Sequence, residues 1–445
     1  MTKLPISNGK KEKINVLTLG CSKNTVDSEV LMRQLQLNNW ELADEPSEAD
    51  ITVINTCGFI EDAKNESIQT ILQAVELKKA GKLKKVIVMG CLSERYASEL
   101  QKEIPEVDAF IGANKMEQVV TTLGGESKIE LLGERMLTTP KHYAYLKISE
   151  GCDNPCSFCA IPIMRGKHTS KPMERILLEA QRLGALGVTE LIVIAQDSTY
   201  YGLDIYGKRM LAGLLEKLNA ITGVEWIRLM YAYPAKFPLD ILDVMNAGEN
   251  ICKYIDMPIQ HIADSVLKSM RRGISSRSTR ELIETIRTKV PGIALRTTLI
   301  LGYPDESEGD FEELLAFVKE TRFDRLGVFT YSQEDDTAAF PLGDPVPHEV
   351  KEERKRLIME AQKQISLERN QALIGKSIRI VIDQKDGDVS IGRTAQDAPE
   401  IDNEVMVHNS PHYTVGNYYD VEIADAEEYD LFAQPPEKVI SVAIG

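Results

Sequence analysis

From residue 14 to about 125, short apolar runs alternate with stretches whose apolar residues recur at helical intervals. Residues 14–19 form a run that ends at Gly20-Cys21, and Val30, Leu31, Gln34 and Leu35 then fall on one helical stripe within 27–37. A second run, 49–56, ends at Cys57 and is followed by Ile60, Ala63, Ile68, Ile71, Leu72 and Val75 at helical spacing. A third, 85–90, ends at Cys91. Strands alternating with helices predict an open parallel-sheet α/β domain over 14–125, after a disordered tail at 1–13.

The pattern loosens over 126–142, where Thr138-Thr139-Pro140 follows Gly124-Gly125 and marks a linker. It resumes over 143–347, with candidate strands at 144–149, 189–195, 224–230, 253–258, 293–301 and 325–331. Helical spacing lies between and after them, near 172–186, 207–219, 238–247, 264–271, 278–289 and 306–320. Six such units suit a partial (β/α)6 barrel, shorter than the eight-unit barrel of about 250 residues. Polar residues follow the strand ends: Gln196 and Asp197, Tyr231, Gln260 and His261, Gly302 and Ser332. In barrels these ends form the mouth of the active site. Residues 348–372 read as a connecting helix with one solvated face. Residues 373–445 read as a small β-barrel with strands at 377–383, 388–393, 404–408 and 418–424.

Composition changes this picture in three ways. With 43% hydrophobic and 27% charged residues over 445 positions, the chain is globular and long enough for several domains. Its net charge of −16 opposes a broad nucleic-acid-binding surface. Residues 373–445 hold five Lys or Arg against fourteen Asp or Glu, a net of −9, so more than half of the excess lies in the last sixth of the chain. No apolar run approaches the roughly 18 residues of a membrane span. The polar, lysine-rich start is no secretory signal, and a cytoplasmic location is expected. Seven cysteines in a reducing compartment point to metal or redox chemistry rather than disulfides.

The cysteines fall into two triads. Cys152, Cys156 and Cys159 share one loop after the first strand of the central region. Three thiolates leave a tetrahedral zinc site unfinished, whereas a four-iron cluster held by three cysteines keeps one iron open to another ligand. Cys21, Cys57 and Cys91 stand 36 and 34 residues apart, close to the length of one strand–helix–strand unit of about 30 or more. Parallel strands place three such residues at one carboxyl edge, where ligands of open α/β sheets collect. The bland alternative is three small buried hydrophobes; their common register favours a second three-cysteine site.

The spacing Cys152-x3-Cys156-x2-Cys159, with Phe158 before the last cysteine, resembles the radical S-adenosylmethionine superfamily. Residues 19–29, Asn55-Thr56-Cys57-Gly58-Phe59-Ile60, Gly90-Cys91-Leu92, Arg165-Gly166 and Ser170-Lys171-Pro172 narrow the resemblance to the methylthiotransferases. It covers nearly the whole chain and implies an N-terminal domain with an auxiliary cluster, a radical barrel and a C-terminal TRAM barrel. Gly20 to Asn24, Pro258-Ile259-Gln260-His261, Gly392-Arg393-Thr394 and Asp397 to Asp402 resemble the branch that modifies an aspartate of the decoding-centre protein of the small ribosomal subunit.

The resemblance implies two 4Fe-4S clusters, with Cys21, Cys57, Cys91, Cys152, Cys156 and Cys159 as metal ligands. It also implies S-adenosyl-L-methionine as methyl donor and radical source, a sulfur donor and a low-potential electron donor. One cofactor molecule would methylate a sulfur at the upstream triad. A second, cleaved at the downstream triad, would yield the radical that opens the aspartate β-carbon. Phe158 is expected beside the adenine. Gln196, Gln260 and Arg296 are expected near ribose or carboxylate, each weighed against a structural hydrogen bond.

Other residues read more plainly. Cys252 is expected in the core, His168 as no zinc ligand, and Arg271, Arg272, Arg277 and Arg280 as a solvated basic face. Two alternatives stay open at this level. One is a transfer-RNA adenosine methylthiotransferase, which the acidic C-terminal barrel opposes; the other is a non-catalytic iron–sulfur or zinc module. The expected partners are a basic ribosomal protein, free or on the ribosome, and no membrane or nucleic-acid substrate.

Overall fold

The computed structural model describes residues 12–128 and 134–436. Of the expected tail, only Glu12 and Lys13 are described, and Lys13 already opens the first strand. The chain divides into two units. The first takes residues up to 138 together with Glu150–Cys152 and Ala160–Lys167, and the second takes the remainder.

In the first unit the strands are β1 (Lys13–Thr18), β2 (Glu41–Leu42), β3 (Ile51–Thr56), β4 (Lys85–Gly90) and β5 (Ala109–Gly112). Its helices are α1 (Ser22–Leu37), α2 (Glu61–Lys79), α3 (Cys91–Glu103), α4 (Met116–Thr122) and α5 (Ile161–Arg165). The strands pair in parallel in the order β2-β1-β3-β4-β5. Every residue of β3 is buried, as a central parallel strand covered on both faces requires. Alternate residues serve opposite faces: Ile54, Val86 and Val88 pack with Ile71 and Val75 of α2, while Val53 and Ile87 pack with Leu31 and Leu35 of α1.

Two strands and three helices, α3, α4 and α5, escaped the apolar pattern. β2 is two residues long, β5 four, and α4 buries only Val119 and Val120, too little for a periodicity. Part of the stretch expected as a linker lies along α1. Lys128 exchanges hydrogen bonds with the Gln34 side chain at 3.0 and 2.7 Å, and Arg135 pairs with the buried Glu29 at 3.2 Å.

The second unit holds six parallel strands side by side in chain order: β6 (Tyr143–Lys147), β7 (Glu190–Ile194), β8 (Trp226–Leu229), β9 (Ile251–Asp256), β10 (Ala294–Leu301) and β11 (Arg325–Thr330). All six expected strands are present. A 24-residue helix, His348–Gln371, leads to a closed barrel of β12 (Ser377–Asp386), β13 (Val389–Thr394), β14 (Glu404–Val407), β15 (Tyr418–Ala426) and β16 (Asp430–Gln434). The sequence pattern showed four of these. The fifth, β16, seals the barrel by pairing parallel to β14 and antiparallel to β15.

The loop between β13 and β14 is bound to the amino-terminal ends of the six-stranded sheet. Glu400 accepts from the hydroxyls of Tyr143 and Tyr145 at 2.7 and 3.2 Å, Asp402 accepts from Tyr254 at 2.7 Å, and Asp397 pairs with Arg325. Beside it, Arg393 pairs with Glu190 and with Asp383 at 3.0 Å, and Arg228 donates to Glu190 at 2.9 Å. Part of the barrel's acidic excess is therefore consumed internally.

Candidate functional site

The strand register fixes the upstream cysteines. Thr18 lies opposite Asn55 and Thr56 opposite Gly90, so the chain leaves three adjacent strands at one level, toward Cys21, Cys57 and Cys91. Cys21 directly precedes α1 and Cys91 is the first residue of α3. Both cysteines therefore sit where a helix N-terminus presents its partial positive charge.

Close approach is secured by glycine. A Cβ on Gly20, whose φ is +90°, would stand 2.6 Å from Cys57 Cβ and 3.1 Å from its sulfur. One on Gly90, at φ +104°, would stand 2.5 Å from the Thr56 carbonyl oxygen. Side chains tie the loops together: Asn24 donates to the carbonyls of Leu19 and Thr56 at 2.7 and 3.2 Å, and Asn55 donates to the Asn24 carbonyl at 3.1 Å. Ser67 donates to the Cys57 carbonyl at 2.9 Å and accepts from its N–H at 3.1 Å.

Arg165, at the end of α5, is buried in this unit. Its Nε donates to Cys91 Sγ at 3.3 Å, Nη1 to Asp27 at 2.7 Å and Glu150 at 3.4 Å, and Nη2 to the Asn24 side-chain oxygen. Burial pushes the Cys91 thiol up to about 11, with the guanidinium opposing that shift, and raises Cys57 as well.

Cys152 belongs to the first unit, where its N–H donates to the Gly166 carbonyl at 3.1 Å. Cys156 and Cys159 belong to the second, joined by a bond from the Cys159 N–H to the Cys156 carbonyl at 3.2 Å. Between them Ser157 anchors the loop, donating through its N–H to Met270 at 3.0 Å and through its hydroxyl to the Ser269 carbonyl at 2.8 Å. Arg272, only 4% exposed, donates to Cys156 Sγ at 3.2 Å and to the Pro258 carbonyl. Its guanidinium lies over the Tyr233 ring, 4.4 Å from the centroid, and the Tyr233 hydroxyl stands 3.6 Å from the same sulfur. Arg272 thus leaves the expected solvated face, on which Arg277 and Arg280 pair with Glu281 and Glu320 at 2.7 and 2.8 Å.

Among the described residues, no three His, Cys, Asp or Glu side chains already stand in ligating positions. The fit to iron–sulfur clusters rests on the donors, two sets of three soft thiols, each with one sulfur held by a buried arginine.

The residues expected near the cofactor lie in different surroundings. Gln260 follows β9 in a left-handed conformation, φ +72°, and its side-chain oxygen is buried without a hydrogen-bond partner among the described residues. The left-handed backbone and the unsatisfied acceptor leave that oxygen available to a ligand's donor. Gln196 stands two residues past β7, half-buried. Phe158 packs with Val266, Met270, Tyr303 and Tyr331. Arg296 pairs with Asp256 at 2.8 Å and Asp402 at 3.3 Å, toward the acidic loop. Cys252 is buried on β9, as expected, and His168 contacts the Ser170 hydroxyl at 3.1 Å.

Sequence reasoning missed the parts played by Arg165 and Arg272. Arg165 stood in a recognisable Arg-Gly pair, but nothing in the pattern said which sulfur it meets. Arg272 was hidden among neighbouring surface arginines.

Comparison with known proteins covers the same three regions. Residues 146–318 match the radical SAM superfamily and 374–435 the TRAM domain, while 13–112 match an uncharacterized protein family, UPF0004. The chain is 55% identical to the ribosomal protein uS12 methylthiotransferase RimO of Christiangramia forsetii, over 96% of this chain and 95% of that protein. It is 54% identical to the protein of the same name from Cytophaga hutchinsonii, over 96% and 98%. Among solved structures it resembles the radical S-adenosylmethionine methyltransferase TsrM of Kitasatospora setae, with a TM-score of 0.55 and 12% identity over 74% of this chain and 77% of that one. At that identity the likeness concerns the fold.

Proposed function

Because this chain belongs to the ribosomal protein uS12 methylthiotransferases, radical S-adenosylmethionine enzymes by their central domain, we propose that it replaces a hydrogen on the β-carbon of a uS12 aspartate with a methylthio group. The observation that carries the two-site form of this proposal is the register of Cys21, Cys57 and Cys91 at the end of three adjacent strands. It supports a second cluster, separate from the one at Cys152, Cys156 and Cys159. When bound, the downstream cluster supplies the electron that cleaves S-adenosylmethionine, and the upstream one is the place where sulfur is held for methylation.

The chain's own residues do the holding. Ser157 fixes the downstream loop between Cys156 and Cys159, Arg272 donates to the Cys156 sulfur, and the Tyr233 hydroxyl, 3.6 Å from that sulfur, donates to the Arg272 carbonyl at 2.8 Å. Burial keeps the Tyr233 hydroxyl protonated, so it remains a donor. Gln260 offers its buried oxygen to a cofactor donor group. In the first unit Asn24, Asn55 and Ser67 hold the three cysteine loops, and Arg165 holds the Cys91 sulfur.

The substrate class agrees with the charge. Although Asp383, Asp397, Glu400 and Asp402 are bound internally, Asp386, Asp388, Asp420 and Asp425 remain exposed on the C-terminal barrel. Carboxylates facing solvent attract a basic ribosomal protein and repel the phosphates of a transfer RNA. A low-potential electron donor and a cytoplasmic site of action complete the proposal; no described helix is long and apolar enough to cross a membrane.

Intact-mass measurement of uS12 from cells with and without the gene is the test. The protein should lose the mass of one methylthio group on deletion. An unchanged uS12, with a methylthio group missing from transfer RNA instead, would assign the chain to the adenosine-modifying enzymes.

A further inference from the structure

Arg165 is 3% exposed and surrounded by acceptors. Asp27 and Glu150 supply two carboxylates, Asn24 an amide oxygen and Cys91 a sulfur. Its own carbonyl accepts from the Asn114 side chain at 3.0 Å, so the backbone is pinned as well. Two carboxylates would already compensate a buried guanidinium. The third contact, Nε to Cys91 Sγ, places a charged donor on a sulfur at the mouth of the upstream triad, where Ala160 and Met164 pack around Cys91.

We propose that Arg165 is a positioning residue of the upstream site, which holds the Cys91 sulfur in its ligating place and raises the reduction potential and iron retention of the cluster bound there. The proposal rests on the assignment of a cluster to Cys21, Cys57 and Cys91. A hydrogen bond and a positive charge on a cluster sulfur draw electron density from it and favour the reduced form. Partners that orient a metal ligand commonly govern retention as strongly. A brace for α5 alone would need the carboxylates but not the sulfur.

The test uses the full chain with Cys152, Cys156 and Cys159 all replaced by alanine, so that only the upstream triad binds iron, reconstituted without oxygen. Three quantities are read in this parent and in its Arg165→Met and Arg165→Lys forms: the melting curve, iron retained against a chelator, and the midpoint potential by EPR-monitored titration. Arg165→Met should retain iron on the order of 10-fold less well and titrate at a more negative potential. Arg165→Lys, which keeps the charge and one donor, should fall between. Unchanged retention and potential in Arg165→Met overturn the proposal even if its melting curve falls, because the residue is then only a brace. If Arg165→Met does not fold, Arg165→Lys decides: a potential equal to the parent's overturns the proposal, and a negative shift supports it. A parent without iron overturns both the proposal and the upstream cluster, and does so before any arginine is changed.

Discussion

The upstream triad is assembled from three strand ends more than thirty residues apart, whereas Cys156 and Cys159 share one short loop. Strand register sets the first, so its accuracy comes from the sheet: Gly20 and Gly90 have no room for a side chain because neighbouring strands dictate their spacing. Turn and side-chain bonds set the second, chiefly through Ser157. A site made by a sheet is rigid but cannot be altered without straining the core. A site made by a loop is adjustable, and needs anchors of its own. Both use one common device, a buried arginine on one sulfur.

The largest expected effect separates the two sites functionally. Cys156→Ala should abolish reductive cleavage of S-adenosylmethionine, measured as 5′-deoxyadenosine, while Cys57→Ala should abolish methylthio transfer yet leave some uncoupled cleavage. Equal loss of cleavage in both would erase the division of labour. Next, Gly20→Ala should destabilise the first unit by about 1–3 kcal/mol, since it adds a Cβ at φ +90° against Cys57. Chemical denaturation should show the loss, and iron at the downstream triad should be retained.

Arg272→Met should weaken iron retention at the downstream triad on the order of 10-fold and leave the upstream iron in place, read by iron analysis in a chain whose upstream cysteines are intact. Tyr233→Phe is the mildest change. Its hydroxyl stands 3.6 Å from the sulfur and donates to the Arg272 carbonyl at 2.8 Å, while the ring remains beneath Arg272, so retention should change by about 1 kcal/mol or less.

The parallel strands were legible because β3, β4 and the strands of the central sheet are rich in apolar residues and are followed by chemistry-bearing ones. β2, β5 and β16 were not, since their place in a sheet is decided by neighbours supplied elsewhere in the chain. The six cysteines of the triads could be singled out by spacing. The arginines could not, because a guanidinium reaches a sulfur through tertiary packing. Arg296 was likewise placed only by its strand, and its ion pairs with Asp256 and Asp402 are visible only in the fold. The Asp397 to Asp402 segment was visible as a motif, but only the fold shows it bound to the amino-terminal ends of the central strands.

The first unit is not finished by the first 138 residues; it also takes Glu150–Cys152 and Ala160–Lys167. During synthesis, the strands that carry Cys21, Cys57 and Cys91 are complete long before Arg165 is translated. Until then neither Asp27 nor Cys91 has the Arg165 guanidinium beside it. A nascent chain stopped at residue 125 would therefore carry all three upstream cysteines on a sheet that still lacks this arginine.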